Sequence, residues 1–275
     1  MAEIVAGFGV PHTPMFPALV AREGPESETA QLYRSVADHL RAVEPEVLVI
    51  FDSDHLNTFF LDNFPTLSVG LSDHTSGPND GTPGLPRYSV PVSESLAEHL
   101  FSYGLERGFD LARTQEFEVD HSILVPLHFL TPDMHIPIVP IFINGIVHPL
   151  PAAKRCLAIG KMVREALESL PDRTRVAVLG SGSFSLDVGG PLAPRGTYSG
   201  VPDPDWAQTI IGYLSEAKTN DLLNAATSER MRRGGNVAGE LLNWIAMLGA
   251  IGHRRPRFLE PQMEHGHAYG VWRWD

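Results

Sequence analysis

Two stretches decide the fold: Ile4-Val5-Ala6-Gly7-Phe8-Gly9-Val10, which stops at Pro11-His12, and Glu46-Val47-Leu48-Val49-Ile50-Phe51, which stops at Asp52-Ser53-Asp54-His55. Each is a short β-branched or aromatic run of the kind that makes a buried strand. Between them Tyr33, Val36, Ala37 and Leu40 repeat at i, i+3, i+4 and i+7, with Arg34, Asp38 and Arg41 on the other side, the pattern of an amphipathic helix. Further along, Ser93 to Tyr103 and Pro151 to Leu170 read as helices, and Ile136 to Ile143 and Arg175 to Leu179 as strands. This alternation predicts one α/β domain over residues 1–275, with a central, mainly parallel mixed sheet flanked by helices.

The stretch from Ser72 to Pro91 carries Gly77, Pro78, Asn79, Gly81, Pro83, Gly84 and Pro86, and is expected to be a long surface loop bordering a site. After the Gly- and Pro-rich stretch from Gly180 to Pro204, two or three helices are predicted, one of them spanning Val237 to Ala250. Ala268 to Trp274 has a strand-like composition, in which Tyr269, Trp272 and Trp274 line a pocket or, the more common case for strand aromatics, fill core.

Composition narrows the functional classes. With 275 residues, 43% of them hydrophobic and one cysteine, the chain buries a core without disulfides. Its 21 basic and 33 acidic side chains leave a formal charge of −12 and no segregated basic patch, which argues against nucleic acid as a partner. The run Ile4 to Val10 is too short for a signal-peptide core. Ile136 to Val147, broken by Pro137, Pro140 and Asn144, falls short of the roughly 20 apolar residues that span a bilayer. A cytoplasmic location without a membrane anchor is expected.

Three positions put a polar side chain where a strand end or burial is expected. His12 follows the first strand and His55 the second, which are expected to be neighbours, so the two histidines can converge at the sheet edge where open α/β folds bind ligands. Glu240 falls within the apolar stripe Val237, Leu241, Trp244 and Leu248, where a carboxylate needs a compensating charge. Singly, each histidine reads more readily as a loop hydrogen-bonder than as a metal ligand, and the glutamate as a boundary residue whose carboxylate reaches solvent. Together they form the ligand set of a facial triad on non-haem Fe(II), which zinc hydrolases also use. His121, in Val119-Asp120-His121-Ser122, is either a proton-transfer group beside an acid or the first turn of a helix capped by Asp120.

The chain resembles the class III extradiol ring-cleavage dioxygenases of the protocatechuate 4,5-dioxygenase β-subunit type. The resemblance runs through the early Pro11-His12, Asp54-His55-Leu56-Asn57-Thr58-Phe59-Phe60, Asp120-His121, Pro151-Ala152-Ala153-Lys154-Arg155-Cys156, and Ala238-Gly239-Glu240 leading into Asn243-Trp244-Ile245-Ala246-Met247-Leu248-Gly249-Ala250. It implies Fe(II) held by His12, His55 and Glu240, with His121 as acid/base and Asn57 and Leu186 on the substrate side. It also implies a catechol-like diol or aminophenol opened with O₂, and a homo-oligomer, in some family members covered by a small helical accessory subunit. The Ser72–Pro91 loop is an alternative cover. One departure stands out. The family's second active-site histidine, in a Gly-Gly-x-Ser-His stretch, corresponds here to Leu186 in Gly182-Ser183-Phe184-Ser185-Leu186. Its task would pass to Asp187, Ser185, His265 or His267, to water, or to the substrate itself. Two rivals remain open at this stage: a zinc hydrolase with Asp52 or Asp54 as base, and a non-catalytic subunit of a dioxygenase complex.

Overall fold

In the computed structural model, which describes residues 1–189 and 200–274, the two deciding runs form β1 (Glu3–Val10) and β2 (Val47–Asp52). Between them lie α1 (Phe16–Glu23) and α2 (Glu28–Ala42). The chain continues through β3 (Leu67–Gly70), β4 (His74–Gly77), β5 (Tyr88–Pro91), α3 (Glu94–Glu106), β6 (Ala112–Thr114), α4 (His121–Leu130), β7 (Ile138–Ile143), α5 (Ala153–Glu168) and β8 (Arg175–Ser181). It ends with α6 (Pro204–Ser215), α7 (Thr219–Ala225), α8 (Ser228–Gly234), α9 (Leu241–Ile251), β9 (Phe258–Gln262) and β10 (His267–Arg273).

The main sheet has the order β6-β3-β7-β2-β8-β1-β10-β9. Its central block, β7-β2-β8-β1, is parallel, and β3 and β10 flank it antiparallel, so the sheet is mixed around a parallel centre. The central strands are apolar on both faces, as a sheet covered by helices on both sides requires. In β2, Val47, Val49 and Phe51 pack with α3, α5 and α9, while Leu48 and Ile50 pack with α2 and α4. On the first face, α5 and α9 approach closely. A Cβ on Gly160 would stand 1.9 Å from the Ala246 carbonyl oxygen, and one on Gly249 2.2 Å from that of Leu157.

Four expectations need correction. β1 and β2 are not neighbours: β8 runs between them, and its C-terminal end brings Ser181, Gly182 and Ser183 to the edge where the histidines emerge. The Ser72–Pro91 stretch is a two-stranded hairpin, β4 with β5, because its chain breakers fall between the short alternating flanks that bury Thr75 and Val90. More helices follow residue 204 than expected. The predicted Val237–Ala250 helix begins as a 3-10 turn, Ala238–Glu240, since Gly239 is pressed against Gly145, and α9 proper starts at Leu241. Residues 190–199 of the Gly- and Pro-rich stretch lie outside the described residues. In the tail, Tyr269 and Trp272 are buried and Trp274 packs against the core, as expected. No helix among the described residues is long and apolar enough to cross a membrane.

Candidate metal centre

The C-terminal ends of β1, β2 and β8 and the start of α9 meet at one point. Glu240, 1% exposed, occupies the N-terminal turn of α9, where the helix dipole favours a negative charge. Asn243, one turn on, fixes this end of the helix: its amide donates to the Ser181 carbonyl (2.8 Å) and to Ser53 Oγ (3.1 Å). Trp244 Nε1 donates to the Gly182 carbonyl (3.1 Å). Gly182, at φ 143°, leaves the room Glu240 needs, for a Cβ there would lie 2.3 Å from the Glu240 Cβ.

His12 and His55 both turn Nε2 to the same oxygen, Glu240 Oε1, at 3.0 and 2.9 Å. Their other ring nitrogens are already engaged. Pro126, inside α4, has no N–H for the carbonyl of Ser122 four residues earlier. Ser181 Oγ donates to that carbonyl (3.2 Å), so its 2.7 Å contact with His12 Nδ1 uses a proton from the imidazole. On His55, Nδ1 donates to Asp120 Oδ2 (3.3 Å). Both histidines therefore present an Nε2 lone pair to a carboxylate, an arrangement that needs a proton or a cation at its centre. Second partners fixing the tautomer in this way are the usual support of metal-ligating histidines. Two imidazoles and a carboxylate thus fit a divalent transition-metal ion.

The electrostatics point the same way. Burial pushes the Glu240 carboxyl up, but the two imidazoles outweigh it and hold the group well below the usual carboxylate range. Burial lowers the His12 imidazole. Burial also opposes charge on His55, yet hydrogen bonds to Asp120 and Glu240 raise it well above its ordinary value. Glu240 Oε2 accepts from the backbone N–H of Ser183 at 2.8 Å, which leaves Oε1 to face the histidines.

His121 completes the cluster. Its ring stacks on His55 with centroids 4.5 Å apart and meets His12 edge-on at 5.7 Å, and ring nitrogens of all three histidines lie within 4.8 Å of one another. The capping reading of the Asp120-His121 pair holds. Asp120 caps α4, accepting from Ser122 N (2.9 Å), and His121, in the first turn, faces the site. The acid that binds the His121 ring is Asp80, at the tip of the β4–β5 hairpin.

Asn57 lies half-buried and donates to Asp120 Oδ2 (3.0 Å), while Leu186 is half-buried and its carbonyl accepts from Val237 N (3.3 Å). Among the groups that could stand in for the missing histidine, Ser185 donates to the Gly234 carbonyl and Asp187 accepts from Asn236 N. His265 is exposed. His267 is buried and its Nδ1 has no hydrogen-bond partner; burial pushes its imidazole down to about 3, and the charges of His12 and Glu240 act on it. Asp54 receives three backbone N–H groups, from Asn57, Thr58 and Phe59. Asp52, raised well above its ordinary value by burial and by the charge of Asp120, approaches Ser122 Oγ at 2.5 Å. Asp54 is thus engaged elsewhere, while Asp52 keeps one oxygen, Oδ1, without a hydrogen-bond partner, 3.8 Å from His12 Nδ1. A cavity of about 780 Å³ lies at the far end of the sheet beside Ile4, Arg164, Ile251 and Trp274, away from the histidines.

The sequence profile of the family described as "Catalytic LigB subunit of aromatic ring-opening dioxygenase" matches residues 6–272 and so takes in every residue of this centre. The chain belongs to that family. Among curated relatives, this LigB-family chain is 35% identical to a 2,3-dihydroxyphenylpropionate/2,3-dihydroxicinnamic acid 1,2-dioxygenase of Klebsiella pneumoniae subsp. pneumoniae, over 87% of each chain. A protein of the same description from Mycobacterium sp. is 31% identical, over 78% of this chain and 79% of the relative. The match to one from Photorhabdus laumondii, 33% identical, takes in 64% of this chain but spans about half (54%) of the relative. Among solved structures, an uncharacterized Escherichia coli K12 protein, JW3007, shares the fold: TM-score 0.58 at 15% identity, with 97% and 98% of the two chains covered.

Sequence reasoning missed three supports of the centre. Ser181 and Ser183 follow a strand in a Gly-Ser-Gly-Ser run, a signal that small polar groups stand at a strand end. Asp80 left no such signal, since it sits among loop residues whose path only the hairpin defines.

Proposed function

We propose that residues 1–275 form one catalytic unit, an Fe(II)-dependent extradiol dioxygenase that opens the ring of a catechol-like diol or aminophenol with O₂. The observation that carries this reading is the convergence of His12 Nε2 and His55 Nε2 on Glu240 Oε1, with both Nδ1 atoms engaged. In this reading His12, His55 and Glu240 hold the iron. Bound there, Fe(II) supplies open coordination positions and the electron transfer that activates O₂.

The rest is work for the chain's own groups. His121, with Nδ1 turned to Asp80, offers Nε2 to the substrate and takes the proton of a hydroxyl, giving the phenolate and an imidazolium; that proton is later returned. Asn57 and Leu186 border the substrate. Leu186, at the position of the family's second histidine, makes that side of the site apolar and leaves it without a second proton donor. Loading the protein with Fe(II) without oxygen, then adding catechol, gallate, protocatechuate or 2-aminophenol with O₂, tests the reading. Oxygen uptake with a yellow ring-opened product is expected. Uptake with none of these substrates, or hydrolase activity with zinc in place of iron, would overturn it. Running Leu186→His in parallel shows whether the leucine sets substrate choice.

A further inference from the structure

The groups that touch His121 are unusual in where they come from. Asp120, its chain neighbour, is fully committed: Oδ1 accepts from Ser122 N and Ser122 Oγ, and Oδ2 from His55 N, His55 Nδ1 and Asn57 Nδ2. Nothing of Asp120 is left for the His121 ring. That ring instead binds Asp80 Oδ2, which also lies 3.4 Å from the His121 backbone N–H.

Asp80 is held as a built-in part rather than as a passing loop residue. Its Oδ1 accepts from Thr82 N (3.2 Å) and Thr82 Oγ1 (2.7 Å), which locks the side-chain rotamer. The residue before it is tied on both sides, Asn79 N to the Val119 carbonyl (3.2 Å) and Asn79 Nδ2 to the Asn57 carbonyl (3.2 Å). A Cβ on Gly77 would stand 2.1 Å from the Val119 carbonyl oxygen, so the base of the tip lies flat on the segment that leads into His121. The hairpin tip is thereby stitched to the loops that carry His55 and His121.

We propose that Asp80 is the positioning residue of His121: it holds the proton on Nδ1 and the ring against His55, so that Nε2 is the nitrogen presented to the substrate. The inference rests on the ring-opening reading for its kinetic consequence and on the hydrogen-bond geometry alone for the tautomer. An anionic acceptor behind the outer nitrogen of an acid/base histidine serves in the same way in serine hydrolases, where it sets tautomer and orientation. Asp80 never touches the substrate.

Two measurements test the proposal. Ring ¹⁵N spectra of the Zn(II)-loaded protein, which is diamagnetic, read the tautomer directly above neutral pH, with the His121 signals assigned by their loss in His121→Ala. Expected are a protonated Nδ1 and a bare Nε2 in the wild type, kept in Asp80→Asn, whose amide oxygen still accepts, and lost or mixed in Asp80→Ala. The same tautomer in Asp80→Ala, or a proton on Nε2 in the wild type, would overturn the proposal.

The second measurement is a kinetic cycle on the Fe(II)-loaded enzyme. Asp80→Ala should lower kcat by about 10–100-fold, the usual scale for a supporting partner of an active-site histidine, and leave KM and metal affinity within about twofold. His121→Ala combined with Asp80→Ala should be no slower than His121→Ala alone. A multiplied loss in the double variant, or a loss confined to KM, would contradict a role exerted through His121. If Asp80→Ala does not fold, Asp80→Asn carries the cycle, with a smaller loss that also vanishes in the His121→Ala background. A wild type that consumes no oxygen would remove the ring-opening reading while the ¹⁵N spectra still decide the role of Asp80.

Discussion

The Asp120 carboxylate accepts from the backbone and ring nitrogens of His55, at 3.0 and 3.3 Å, although its neighbour in the chain is His121. One side chain thus caps α4 and sets the tautomer of a histidine on another loop, and Ser181 performs the second of these tasks for His12. Asp120→Asn and Ser181→Ala should each weaken Fe(II) or Zn(II) binding by about 10–100-fold, the usual effect of removing the outer partner of a ligand histidine. Chelator-competition titration measures this. Unchanged affinity in both variants would mean that the imidazoles are oriented by something else.

Gly182→Ala should be as damaging as loss of a ligand. The new methyl would stand 2.3 Å from the Glu240 Cβ and 2.9 Å from Oε2, at a φ of 143° that an L residue rarely adopts. Metal affinity is expected to fall at least about tenfold, with a loss of stability on the scale of about 1–3 kcal/mol for an overpacked site. Metal titration combined with chemical denaturation checks both.

How much of this was legible in the sequence follows from what each feature depends on. Strands β1, β2, β7, β8 and β10 announced themselves as short apolar runs and the long helices through spacing and composition, since burial imposes such patterns on neighbouring residues. His12 and His55 were visible as polar residues at strand ends, and Glu240 as a charge in an apolar stripe. β3 and β6, at four and three residues, are too short to carry a period. The β8 insertion between β1 and β2 is set by long-range pairing, which no local window contains. The same is true of Asp80, whose partner lies 41 residues away. Asp120 was legible as the cap of α4 but not as the partner of His55, because adjacency in the chain does not decide where the rest of a capping carboxylate points.

Metal affinity should depend on pH through His55. Its imidazole is raised above the ordinary 6.5, burial opposing and the bonds to Asp120 and Glu240 prevailing, so the metal-free centre holds a proton there to higher pH than a free imidazole does. A metal ion must displace that proton. Apparent affinity is therefore expected to rise with pH, by up to about tenfold per unit, through 6.5 and on to the raised value, and then to level off. Competition titrations between pH 6 and 9 check this, and a flat profile from 6.5 upward would contradict it.

His267 sets a different pH response. Its imidazole is lowered from 6.5 to about 3, chiefly by burial, so the folded chain keeps it neutral while the unfolded chain takes up a proton below 6.5. Stability is therefore lost as pH falls from 6.5 towards 3, by up to about 1.4 kcal/mol per pH unit from this group. His267→Phe should lose less stability than the wild type over the same window, as read by denaturant unfolding at several pH values. Equal losses would show that the group does not stay neutral in the folded chain.

The central claim is that His12, His55 and Glu240 share one metal ion. X-ray absorption of the Fe(II)-loaded protein, with metal analysis on the same sample, reads it most directly. One iron per chain bound by two imidazoles with oxygen donors filling the remaining positions is expected, and Glu240→Ala should abolish stoichiometric loading. Three imidazoles, which would draw His121 into the coordination sphere, or a protein that binds no iron at all, would contradict it.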